Sequence, residues 1–60
     1  MLLYELYKVL ADNVIALIFD RTGQVIYYGS LVNLDVDILQ SGVIYLAPIN
    51  PHEILIKIDL

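Results

Sequence analysis

From Met1 to Ala11 the apolar residues recur at helical spacing. Leu3, Leu6 and Leu10 form one stripe, which Leu2 and Val9 widen, and Glu5 and Lys8 lie opposite at a spacing that lets them pair. Asp12-Asn13 supplies turn chemistry that ends this segment. The period then changes. Val14 to Phe19 is a β-rich apolar run, followed by Asp20-Arg21-Thr22-Gly23 and a second β-rich run from Gln24 to Tyr28. Asp at the first position of a type I turn and Gly at the fourth predict a three-residue hairpin closed by a bulge. In the simplest register Phe19 faces Val25, Leu17 faces Tyr27 and Ile15 lies beside Gly29, all on one face. Val14, Ala16, Ile18, Ile26 and Tyr28 then occupy the other. Neither face is polar.

Gly29-Ser30 breaks the pattern. Leu34 to Gln40 reads as a crossover with one short helical turn, capped by Asn33 or Asp35 and terminated by Gly42. Val43 to Ala47 is a third strand, and Pro48, Asn50 and Pro51 are expected to form a stiff turn. Ile54, Ile56 and Ile58 alternate with Leu55, Lys57 and Asp59, as in a half-buried strand. The reading is an α+β fold over residues 1–60 as a single domain. An N-terminal helix packs on a four-stranded antiparallel sheet in the order α-β-β-short α-β-β. Strand order 2-1-4-3 is preferred over a plain meander, because the first strand is apolar on both faces and suits the sheet interior.

Composition adds a constraint. Residues of the AVILMFWYC set make up 60% of the 60-residue chain, against roughly 45–50% in an average soluble domain. A chain this short hides only about 60% of its unfolded surface. With no Cys, disulfides and thiolate metal sites are excluded together, which leaves association as the common route to extra stability. Geometry agrees. Six-residue strands are about 20 Å long and four of them about 19 Å wide, whereas a ten-residue helix is about 15 Å long and 10–12 Å across. One helix leaves much apolar sheet uncovered unless the stretch from Leu31 to Leu39 folds over the far side.

Seven Asp and Glu against three Lys and Arg give a net charge of −4. Such a surface repels phosphate backbones, so nucleic-acid binding is not expected. Glu5 and Lys8 interrupt the first apolar stretch, so a secretory leader is not expected there. The uncharged run from Ile38 to His52 carries too many polar residues and prolines to span a bilayer. A cytoplasmic protein is expected.

The chain offers little chemistry. Asp35 and Asp37 are a close carboxylate pair, but no Ca²⁺-loop spacing surrounds them, and capping accounts for them. His52 beside Glu53 resembles an acid–base pair only if a cleft encloses it. Ser30, Ser41 and Thr22 have no base placed to activate them. Gly23, Gly29 and Gly42 stand apart, so no phosphate-cradling loop is present. No cofactor, metal site or enzyme activity is expected. The five tyrosines carry more weight, because Tyr is enriched where protein surfaces meet. The candidate interface comprises Tyr4, Tyr7, Ala16, Ile18, Ile26, Tyr28, Tyr45 and Leu55.

One resemblance extends over most of the chain. The amphipathic start from Leu2 to Asp12, a strand directly after it, a hairpin closing in Tyr28-Gly29 and the aliphatic Ile54-Leu55-Ile56-Lys57-Ile58 form a pattern. It resembles short proteins encoded by phages and prophages of low-GC Gram-positive bacteria. The resemblance lies in element order and brings no site residues. Proteins of that class are mostly of unknown function. The two-sided apolar hairpin and the tyrosines are what lead to the expectation of a non-enzymatic accessory protein acting through protein contacts, as a homodimer or with another protein. The competing expectation is an acidic inhibitor of a host nucleic-acid enzyme, with Asp12, Asp20, Asp35 and Asp37 as contacts.

Overall fold

A computed structural model describes residues 1–10 and 13–60. Helix α1 spans Leu3–Tyr7 and strands β1 and β2 span Ile15–Phe19 and Val25–Ser30; a 3₁₀ turn follows at Leu31–Asn33. Helix α2 is Val36–Leu39, and strands β3 and β4 are Val43–Asn50 and Glu53–Ile58. The fold is α+β, with one four-stranded sheet in the order β2-β1-β4-β3. The expected order holds, but the sheet is mixed: β1 pairs with β2 and β3 with β4 antiparallel, while β1 and β4 run parallel. The crossover explains the difference. The chain leaves β2 at one end of the sheet and returns through the 3₁₀ turn and α2 before entering β3. β3 therefore runs in the same sense as β2, and β4 in the same sense as β1. A parallel connection needs a dozen or so residues and usually a helix, which this stretch supplies.

The hairpin turn forms as its residues require. Asp20 Oδ1 accepts the Thr22 and Gln24 backbone N–H groups at 2.9 and 3.0 Å and the Thr22 hydroxyl at 2.6 Å. Gly23 sits at φ 91°, a conformation open to glycine without strain. Beyond the turn the register departs from the simple one. Phe19 opposes Val25, but Ile18 opposes Tyr27 and Leu17 opposes Tyr28, so Ile26 is an extra, bulged residue. A one-residue slip moves every later side chain to the opposite face. Tyr27 joins the side of Ala16 and Ile18, and Tyr28 that of Leu17.

The core lies on one side of the sheet. Ala16, Ile18, Ile56 and Ile58 are fully buried there beneath Leu3, Leu6 and Leu31. Leu10, Leu34, Ile38 and Leu39 pack against the same cluster. Both helices and the crossover thus lie over one face, leaving its β3 edge at Leu46 and Pro48 exposed, and the stretch after Ser30 does not wrap the other.

Helix α1 is shorter than its apolar stripe predicts, although Leu10 still reaches the core. Its start is pinned: the Leu3 N–H donates to Ser41 O at 2.9 Å and the Val43 N–H to Met1 O at 2.7 Å. Glu5 does not pair with Lys8. Its carboxylate turns back to accept the Leu2 N–H at 2.8 Å, while the Lys8 ammonium lies 5.4 Å from the Tyr4 ring centroid. Val9 does not widen the buried stripe, being 78% exposed. The expected turn at Asp12 lies outside the described residues. β3 runs through Pro48 to Asn50, further than its composition predicts. β3 is an edge strand, and an edge tolerates proline because no neighbour needs the outward N–H. The turn itself reduces to Pro51-His52, where Asn50 Oδ1 accepts the His52 N–H at 2.9 Å.

Candidate interaction face

The sheet side turned away from the helices is built from three rows of register partners. The middle row is Tyr28, Leu17, Leu55 and Ala47, read from β2 to β3. On one side of it lie Ser30, Ile15, Glu53 and Asn50, and on the other Val25, Phe19, Lys57 and Tyr45. The centre is aliphatic and aromatic, and its two charges sit at opposite ends of β4. Val25, Tyr28 and Tyr45 are 52%, 61% and 57% exposed, and Ile15, Leu17, Phe19 and Leu55 are half-buried. No helix among the described residues packs on this face.

Polar groups at the Glu53 end of the face are ordered. The Tyr28 hydroxyl donates to Glu53 Oε2, and the Asn50 amide donates to Glu53 Oε1 at 2.6 Å. Because β1 separates β2 from β4, the Tyr28 side chain reaches across the neighbouring strand to make its bond. That bond holds the Tyr28 phenol above the usual tyrosine range and, together with the Asn50 amide, holds the Glu53 carboxyl below the usual carboxylate range. Tyr28, 61% exposed, is thereby tethered across β1 by its hydroxyl.

The sequence-derived interface residues divide. Tyr28, Tyr45 and Leu55 lie on this open face. Ala16 and Ile18 are wholly buried in the core and are unavailable to a partner, and Ile26 packs against the same core. Reversal of β1 follows from the bulge and from the parallel pairing, which sets Ile54 beside Ala16 and Ile56 beside Ile18. Tyr4 and Tyr7 stand on the helix side, ring centroids 6.2 Å apart. With Leu2, Val36, Leu39 and Gln40, Tyr4 borders an apolar groove of about 310 Å³ between α1 and α2. The five tyrosines therefore do not form a single seam. Sequence reasoning missed Ile15, Leu17, Phe19, Val25 and Lys57 as residues of the open face. The signal available was Lys57, whose charge marks the outward side of β4.

The residues considered for chemistry are not assembled into a reactive site. Among the described residues no three His, Asp or Glu side chains gather as a metal requires. His52 is exposed in its turn while Glu53 is engaged by Tyr28 and Asn50. Asp35 and Asp37 belong to the start of α2, and Asp20 is occupied by its own turn; Asp12 is not among the described residues. The buried Ser41 hydroxyl donates to Asp37 O at 3.3 Å, and Ser30 Oγ accepts the Val32 N–H. Both act as local braces. Among the described residues no helix is long and apolar enough to cross a membrane. No protein-family model, characterised protein or solved structure matches the chain.

Proposed function

We propose that this chain is a non-enzymatic accessory protein that acts through protein contacts made by its helix-free sheet face, in the cytoplasm and first of all with itself. One observation carries the reading: three large apolar side chains, Val25, Tyr28 and Tyr45, stand more than half exposed around a half-buried aliphatic row. Contiguous apolar surface of several hundred Å² on a small soluble protein marks an interaction site. Tyrosine also suits a contact surface, because its ring buries area while its hydroxyl remains bonded.

The test compares wild type with Leu55→Glu, which places a charge at the centre of the face, and with Tyr4→Ser on the helix side. In sedimentation equilibrium from about 1 μM to 1 mM, wild type and Tyr4→Ser are expected to associate while Leu55→Glu remains a folded monomer. Association that survives Leu55→Glu, or is lost with Tyr4→Ser alone, would reject this face as the contact surface.

A further inference from the structure

Resting on that reading, we infer that the occupant of the open face is a second copy of this chain, packed face to face about a two-fold axis that runs across the strands through Leu17 and Leu55. The three rows of the face decide the axis. A two-fold along the middle row leaves that row on its own copy and exchanges the two outer rows. Leu17 then meets Leu17, and Leu55 meets Leu55. Ile15 meets Phe19 of the second copy, apolar on apolar. Glu53 meets Lys57 of the second copy, and Asn50 meets the tyrosine hydroxyl of Tyr45 of the second copy. These exchanges bring together groups of matching chemistry; at the β2 edge alone a polar group, Ser30, meets an apolar one, Val25 of the second copy.

Two strand-parallel axes that keep β4 at the centre of the contact do not. An axis along β4 sets Glu53 on Glu53 and Lys57 on Lys57. An axis between β1 and β4 sets Ile15 on Glu53 and Phe19 on Lys57, which desolvates a charge against an apolar side chain. Within one copy Glu53 and Lys57 are four residues apart along a strand, about 13 Å, and are too distant to pair. Lys57 makes no ion pair among the described residues. Glu53, whose oxygens accept from the neutral Tyr28 and Asn50 groups, keeps its charge uncompensated for the Lys57 of the other copy; symmetry makes the pair twice. The helices remain outside, and two sheets packing this way lie within about 30° of alignment, as sandwiches do.

Size sets the strength. Strands of about 18 Å across a sheet about 19 Å wide present roughly 350 Å² in flat projection, below the roughly 800 Å² per partner of a standard interface even after allowing for corrugation. The dimer accordingly belongs at the weak, small end of interface sizes. Against a total accessible surface of 3851 Å², that projection is about a tenth of the molecule.

The experiment is charge exchange in the full chain, read by sedimentation and by fluorescence cross-correlation of two labelled variants. Lys57→Glu alone sets Glu against Glu twice; Glu53→Lys alone sets Lys against Lys twice. Each is expected to weaken self-association about tenfold or more, with the loss shrinking in 0.5 M salt (about 4 Å screening length). An equimolar mixture of the two variants restores both opposite-charge contacts and is expected to form a heterodimer close to wild-type affinity, as is the double variant E53K/K57E. Because Glu53→Lys also removes the Tyr28 and Asn50 bonds, circular dichroism of each variant confirms that it is folded, and Lys57→Glu keeps the test standing on its own. If Leu55→Glu abolishes the dimer but neither charge variant changes it, the contact face stands and this arrangement is overturned. A wild-type chain that stays monomeric to about 1 mM, while Leu55→Glu still abolishes binding of some other protein, overturns self-pairing alone.

Discussion

Replacing Leu17 and Ile18 one at a time tests which side of β1 is the inside. Ile18 is fully buried between β2 and β4 partners, whereas Leu17 is half-buried on the open face. Ile18→Ala removes buried methyl groups and leaves a cavity that its packed neighbours only partly fill, a loss of about 2–5 kcal/mol. Fully burying a leucine contributes about 1.5–3 kcal/mol, so truncating a half-buried one to Ala costs about 1 kcal/mol, with no enclosed cavity to add. A chain of this length is expected to have about 3–9 kcal/mol in all. Ile18→Ala therefore removes from about a fifth to all of the total, and Leu17→Ala about a tenth to a third. Since a second copy would cover Leu17, urea unfolding is followed by circular dichroism at several concentrations and extrapolated to dilution. There, Leu17→Ala is expected to lower the midpoint slightly, equivalent to about 4–8 °C in Tm. If Ile18→Ala leaves the chain unfolded, Ile18→Val against Ile15→Val supplies the same comparison on a smaller scale, about 0.5–1.5 kcal/mol for the buried site and less for the open one. Equal costs on the two sides, or a larger cost at Leu17 or Ile15 in dilute solution, would refute the assignment of faces.

Three further outcomes follow. Gly29 adopts φ 153°, and a Cβ there would meet the Tyr27 hydroxyl oxygen at 3.2 Å, so Gly29→Ala is expected to lose about 1–3 kcal/mol in denaturant unfolding. Asp20 is held below its usual range by the Thr22 hydroxyl and then the Gln24 amide. A depressed carboxyl stabilises the fold above its unfolded value, near 4, and that contribution disappears as pH falls through the lower folded value; Asp20→Asn is expected to show a shallower loss of stability in that acid window. Tyr28 has the opposite sign: raised by Glu53, it stabilises below the unfolded value near 10 and loses its contribution as pH rises through the folded one, so Tyr28→Phe is expected to flatten the alkaline limb of a stability–pH curve.

Much of the fold was legible because several local signals agreed. Leu3, Leu6 and Leu10 marked the packed side of the N-terminal segment, Asp20 and Gly23 marked the hairpin, and Ile56 and Ile58 marked the inner side of β4. Strand order followed from β1 being apolar on both sides. That same property concealed which side of β1 faces in, since Ile15, Leu17 and Phe19 are as greasy as Ala16 and Ile18. The deciding events were a single bulged Ile26 and a parallel neighbour, neither of which leaves a mark in hydrophobic periodicity. Pro48 was misleading for a related reason: proline ends a central strand but is accepted at an edge, and the edge is a property of topology. Of the candidate face, only Tyr28, Tyr45 and Leu55 were recovered from sequence.

The position of β4 has a kinetic consequence. It is the last strand along the described chain, yet it lies inside the sheet, between the first strand and the third. Ile15 cannot pair with Glu53, nor Ile18 with Ile56, until almost all intervening residues are in place, and such distant pairings are slow to form because chain entropy is lost before any contact is gained. An early β1–β2 hairpin would meanwhile carry an uncovered apolar flank waiting for a strand. Refolding is therefore expected to be a single late, cooperative event, and removal of residues 53–58 should leave no residual sheet.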